Sequence, residues 1–202
     1  MDDIMQDIIT PRLILRKFLV TDAEDIYEYL AQPRVNCFLD GKVDNLEQAR
    51  MEAEKRSQDD TYLAVCLKET GAVIGDLFLH KDDMHKKEES SAKTNTISSL
   101  KEADTYSVGW NFNVKFEGKG YASESAIALL DYLFMDKGVR RIYAYVEDDN
   151  YRSQKLCEKL GMRQEGCFIE FVTCTNNADG TPKYENTFQY AILKKEWLLR
   201  DK

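Results

Sequence analysis

Apolar and polar positions change their period several times along the chain, and each change marks an element. Arg12-Leu-Ile-Leu-Arg-Lys-Phe18 alternates with period two, which predicts a strand. Thr21-Asp22 supplies a helix start, and Ile26, Tyr27 and Leu30 at helical spacing carry that helix to about Ala31. Residues 45–58, opening Asn45-Leu-Glu-Gln-Ala-Arg-Met, are strong helix formers and predict a second helix. Tyr62–Leu67 and Val73–Leu79 are apolar runs split by Glu69-Thr-Gly71, the mark of a hairpin. Thr105–Val114 reads as a strand with Val108, Trp110, Phe112 and Val114 on one face. After Gly118-Lys-Gly120 comes a helix whose stripe is Ala122, Ala126, Leu129, Leu130, Leu133 and Phe134, closed by Gly138. Arg141–Val146 is a further strand, and Asn150 opens a short helix that Gly161 stops. Two last strands, about 166–174 and 184–193, flank the turn-forming run Asn176-Asn-Ala-Asp-Gly-Thr-Pro182.

The order β-α-α-β-β-β-α-β-α-β-β predicts a single α/β (α+β) domain over residues 1–202. Its mixed, mostly antiparallel twisted sheet has about seven strands, flanked by about four helices. Residues 81–104, charged and then rich in Ser and Thr, have little to bury and predict a polar surface insertion. A lid over a binding site is the functional alternative for that segment.

Charge and cysteine usage narrow the function. Asp plus Glu number 36 against 28 Lys plus Arg, a formal charge of -8, which suits a cationic guest and disfavours nucleic acid. No apolar run approaches the roughly 20 residues of a membrane span, and the acidic Met1-Asp-Asp start is unlike a signal peptide. Five cysteines without a C-x-x-C pair, and only two histidines, point to reduced thiols in a cytoplasmic protein, without a metal site or a His-based triad.

Candidate chemistry sits in two stretches. Glu117-Gly-Lys-Gly-Tyr-Ala122 leads from a strand into a long helix, so its glycines admit close backbone approach and the helix start offers unpaired N–H groups to a phosphate. It lacks the Gly-Lys-Ser/Thr ending of a P-loop and the third glycine of a dinucleotide fingerprint. By itself it reads sooner as an ordinary tight turn. Asn150-Tyr-Arg-Ser153 then caps a helix at the open end of the next strand and puts Ser153 one turn along.

Together these stretches resemble the GNAT acyl-CoA N-acetyltransferase superfamily, in its ribosomal-protein N-terminal acetyltransferase-like (RimJ/RimL-type) branch. Thr10-Pro-Arg-Leu-Ile-Leu-Arg16, Ile74-Gly75, Val108-Gly109-Trp110, Gly118–Glu124, Asn150–Gly161 and Tyr190–Leu193 with Glu196-Trp197 carry the resemblance. It implies acetyl-CoA as cosubstrate, direct attack by an amine, and no metal. It further implies that backbone groups of Phe112, Asn113 and Val114 bind the pantetheine arm. The amides of Gly118, Lys119, Gly120, Tyr121, Ala122 and Ser123 would hold the pyrophosphate, and Asn150 and Ser153 the far wall. The acceptor would enter over Trp110, the first helices and the last hairpin. Glu170 and Ser153 are the nearest matches to the branch's catalytic glutamate and serine. Three positions depart from the pattern: Glu117 replaces Gln or Arg, Cys157 replaces a tyrosine acid, and Ser107 replaces a glutamate. The acceptor reads as a protein N-terminus, a polyamine or an aminoglycoside-like amine, and the last hairpin is the candidate surface of a homodimer. The rivals are a CoA-binding regulatory module without transfer activity and a nucleotide switch built on Gly118-Lys-Gly120.

Overall fold

A computed structural model describes residues 6–82 and 104–200 of the chain, so the polar insertion at 81–104 lies almost wholly outside the described residues. The strands are β1 (Ile8–Ile9), β2 (Leu13–Arg16), β3 (Tyr62–Leu67), β4 (Val73–Lys81), β5 (Thr105–Phe112), β6 (Arg141–Glu147), β7 (Arg163–Asn176) and β8 (Pro182–Leu193). They form one sheet in the order β1-β2-β3-β4-β5-β6-β8-β7. Every neighbouring pair is antiparallel except β5 and β6. That exception follows from the connection, because a helix between two strands returns the chain to run the same way. The eighth strand, beyond the seven expected, is the two-residue β1, too short to leave a periodic signal.

Among the described residues five α-helices flank the sheet: α1 (Ala23–Leu30), α2 (Leu46–Ser57), α3 (Tyr121–Asp131), α4 (Tyr151–Lys159) and α5 (Lys194–Leu199). Asn45 caps α2 by accepting from the Gln48 N–H at 3.0 Å. At its far end α3 widens into a π turn over Tyr132–Asp136. The fifth helix, α5, lies beyond the four expected and leaves little apolar pattern, since only Trp197 of its six residues is buried.

Two cores result, one on each sheet face. Leu13, Leu15, Val65, Leu77, Ile142 and Val146 pack under α3 and α4, with Leu130, Leu133 and Phe134 opposite. On the other face α1 and α2 cover Ala64, Cys66 and Val73 with Phe18, Ile26 and Leu30. The α2 stripe is only Ala49 and Ala53, completed by Arg56, which is 6% exposed. This guanidinium bonds Glu52 at 2.7 Å, pairs with the buried Asp76 at 3.3 Å and lies over the Tyr62 ring. Among the described residues no helix is long and apolar enough to cross a membrane.

Candidate active site

The site arises where two strands part. β5 and β6 pair only at Thr105–Arg141, Tyr106–Ile142 and Ser107–Tyr143, although β5 continues to Phe112 and β6 to Glu147. A cavity of about 670 Å³ opens at the gap. Strand alternation places Ser107, Gly109 and Asn111 on one face with Phe78, Tyr145 and Glu147. Val108, Trp110, Phe112 and Ala144 belong to the other face, with α3 and α4. Residues of both faces line the cavity, so it passes through the sheet.

The Asn113 N–H donates to the Ile74 carbonyl at 2.9 Å. Antiparallel alternation therefore directs the odd-numbered β5 residues to β4, and turns the main-chain groups of Val108, Trp110 and Phe112 toward the gap. Asn113 and Val114 line the cavity, yet their carbonyls already accept from Phe116 and Glu117. Of the three residues expected to offer backbone groups, Phe112 turns its main chain to the gap by strand alternation, while the Asn113 N–H bonds Ile74 and the Asn113 and Val114 carbonyls accept from the following turn.

Beyond β5 the chain bends through Gly118 and Gly120, with φ of 75° and 81°, the left-handed region that other residues enter only at a cost. These two bends aim the first turn of α3 at the cavity. The N–H groups of Tyr121, Ala122 and Ser123 then have no acceptor within the helix, which suits an anion. Gly118, Gly120, Tyr121, Ala122 and Ser123 line the cavity; Lys119 does not. The Lys119 carbonyl instead accepts from Arg12 Nη1 at 2.9 Å. Arg12 also bonds Glu124 through Nε at 2.7 Å and lies 4.5 Å from the Tyr121 ring centre. Thr10 Oγ1 donates to the same Glu124 at 2.6 Å. Burial pushes the Glu124 carboxyl up, but the bonds from Thr10 and Arg12 outweigh it and hold its pKa below the usual range. Thr10-Pro-Arg12 thus buttresses the turn, a role that strand patterning does not reveal.

Asn150 accepts from the Ser153 N–H at 3.3 Å and caps α4, and both residues line the cavity. Ser153 Oγ lies 2.6 Å from Trp110 Nε1. An indole nitrogen can only donate, so the serine oxygen accepts and its own proton stays available. The same bond places Trp110 on the α3–α4 face of the sheet, opposite the first helices with which the sequence reading grouped it. Cys157 is fully buried, and burial pushes its thiol up to about 12, which keeps it a neutral packing group.

Glu170 stands apart from these groups. Between Phe168–Thr187 and Val172–Glu185 the strand β7 carries two extra residues, and Glu170, at φ 49°, sits exposed on that bulge. It is not among the residues lining the cavity. Its N–H donates to Asn186 Oδ1 at 2.9 Å. Among the described residues the carboxylates that line the cavity are Glu117 and Glu147. Glu147, at the end of β6, is the carboxylate that, after burial, helps drive the Cys37 thiol pKa up. Period-two reading of β6 stops at Val146 and so leaves Glu147 unmarked. Phe38, Phe78 and Tyr145 complete this side, with the Phe38 and Phe78 rings edge to face at 6.3 Å.

The chain matches the acetyltransferase (GNAT) domain family over residues 12–163. It is 30% identical over 191 residues to the uncharacterized N-acetyltransferase YnaD of Bacillus subtilis (strain 168), covering 94% of this chain and 98% of that one. An acetyltransferase of the GNAT family from Bacillus anthracis superposes with a TM-score of 0.75 at 29% identity, over 94% of this chain and 99% of that one. A mutant of spermidine N-acetyltransferase SpeG from Vibrio cholerae shares the fold at a TM-score of 0.66 and 18% identity, over 96% and 100% of the two chains. A parted pair of parallel strands, a glycine turn that leaves free N–H groups at the head of the following helix and these likenesses agree, and the chain belongs to the GNAT N-acetyltransferase family, in its RimJ/RimL-like branch.

Proposed function

We propose that this N-acetyltransferase moves the acetyl group of acetyl-CoA directly onto a primary amine, the two substrates meeting through the sheet from opposite faces. The cavity that crosses the gap between β5 and β6 carries this reading, with an anion seat on its helix side and Glu147 among aromatic rings on the other. Acetyl-CoA supplies an activated thioester. The N–H groups at the head of α3 hold its diphosphate, and the main-chain groups of Val108, Trp110 and Phe112 hold the arm. The fixed positions on either side of the gap supply much of the rate by alignment.

An attacking amine must be neutral, and Glu147 is the carboxylate placed to take its proton. Ser153, its oxygen accepting from Trp110, is placed to hydrogen-bond the departing sulfur, which leaves as thiolate and takes its proton from solvent while the amine proton rests on Glu147. Phe38, Phe78 and Tyr145 around the Glu147 carboxylate favour an amine with one charge and an apolar flank. A protein N-terminus fits this better than a polyamine or an aminoglycoside, whose further charges would face rings.

The test is an acceptor panel with mass detection: N-terminal peptides, an aromatic monoamine, a polyamine and an aminoglycoside. Transfer to the first two at higher kcat/KM is the expected result. Binding of CoA with no thiol release across the panel would leave a regulatory module instead. Glu147→Gln should lower turnover at neutral pH and recover part of it at alkaline pH, where the amine loses its proton unaided. If only Glu170→Gln lowers turnover, the role falls to the bulge residue and Glu147 loses it.

A further inference from the structure

Glu117 ends the short turn after β5, and its carboxylate bridges two arginines from distant parts of the chain. Arg34 Nη1, in the loop after α1, lies 2.7 Å from Oε2, and Arg152 Nε, in the first turn of α4, meets Oε1. All three residues line the cavity, and Glu117 immediately precedes Gly118, the first residue of the anion seat. The strap thus joins the loop after α1 to α4 across the cofactor end of the cavity. Its members are open to water, the side chains of Arg34, Glu117 and Arg152 being 42%, 39% and 68% exposed. Ion pairs so exposed add little stability and exchange partners readily.

A diphosphate on the neighbouring N–H groups carries more charge and more acceptor oxygens than a carboxylate. Arginine binds such oxygens in a planar, two-point geometry. Resting on the cofactor site proposed above, we infer that Glu117 is a built-in competitor for the phosphates of CoA. In the free protein it occupies Arg34 and Arg152; when the cofactor binds, both arginines pass to phosphate oxygens. Glu117, left without its partners, then stands beside a like charge. Binding is weaker and release faster than the same two arginines would give next to a neutral residue. The carboxylate therefore sets residence time without touching the reacting atoms.

Calorimetric titration with CoA, and competition by pantetheine, which lacks the phosphates, test this on the wild type and Glu117→Gln. One unit of negative charge removed close to the diphosphate should tighten CoA binding about three- to tenfold at low salt, and less at high salt. Pantetheine should bind both proteins alike. Adding Arg34→Ala and Arg152→Ala to Glu117→Gln should abolish the gain. The inference is overturned if Glu117→Gln binds CoA no tighter than wild type, if pantetheine shares the gain, or if the gain survives loss of both arginines. Those results leave the cofactor site intact. Absence of CoA binding in wild type and every variant would overturn the site and this inference together.

Discussion

Gly109→Ala tests the geometry at the floor of the proposed acceptor side. A Cβ built on Gly109 would stand 2.0 Å from Phe78 Cζ and 2.3 Å from Cε2, against an ordinary contact of about 3.5 Å or more. The Phe78 ring must therefore withdraw by about 1.5 Å. It is held between Phe38, Tyr62 and His80, with ring centres 6.3, 6.1 and 6.1 Å away. Its remaining side faces the cavity. Overpacking of this kind costs about 1–3 kcal/mol. The Gly109 backbone is not in the left-handed region, so the cost is one of contact and not of torsion. Urea denaturation of wild type, Gly109→Ala, Phe78→Leu and the double variant measures it. Gly109→Ala alone should lose about 1–3 kcal/mol, and in the Phe78→Leu background at least ~1 kcal/mol less, since the smaller side chain can yield. The acceptor KM should rise with the displaced ring, while CoA affinity stays unchanged. Equal losses in both backgrounds, or a loss under about 0.5 kcal/mol in each, would refute the packing argument.

Variants at three further positions probe the remaining parts. Ser153→Ala removes the proposed hydrogen bond to the departing sulfur and strands the Trp110 N–H; kcat should fall about ten- to hundredfold with little change in CoA affinity, and equal losses in both would mark a binding role. Gly120→Asp forces a side chain and a negative charge into the left-handed bend, and CoA binding measured by calorimetry should be lost while Gly120→Ala retains part of it; unchanged affinity would clear the turn of any role. Glu124 has its pKa held below the ordinary value of 4.5, so its stabilisation is complete above that value and disappears as pH falls through the lowered folded pKa. The stability gap between wild type and Glu124→Gln should thus be wide at pH 7 and narrow in acid, and a gap independent of pH would show that the carboxylate's charge is not what Thr10 and Arg12 stabilise.

Local patterning makes most elements legible from the chain alone. Alternation along Arg12–Phe18, the stripe from Ala122 to Phe134 and the Asn150 cap depend on neighbours within a few residues, and so do the bends at Gly118 and Gly120. The proposed anion seat is readable for that reason: torsion and free N–H groups are properties of a short segment. Tertiary structure alone decided what depends on partners far along the chain. It buried Arg56 where a helix of polar residues gave no apolar stripe, because Asp76 and two aromatic rings receive the charge. It turned Trp110 to Ser153, 43 residues away, and joined Arg34 to Glu117 across 83. Two extra residues in β7 carried Glu170 out to solvent, whereas the end of β6 brought Glu147 to the gap. Which carboxylate stands at the gap depends on where two strands part and where a third bulges, and that is set by pairing across the sheet rather than by any run of neighbouring residues.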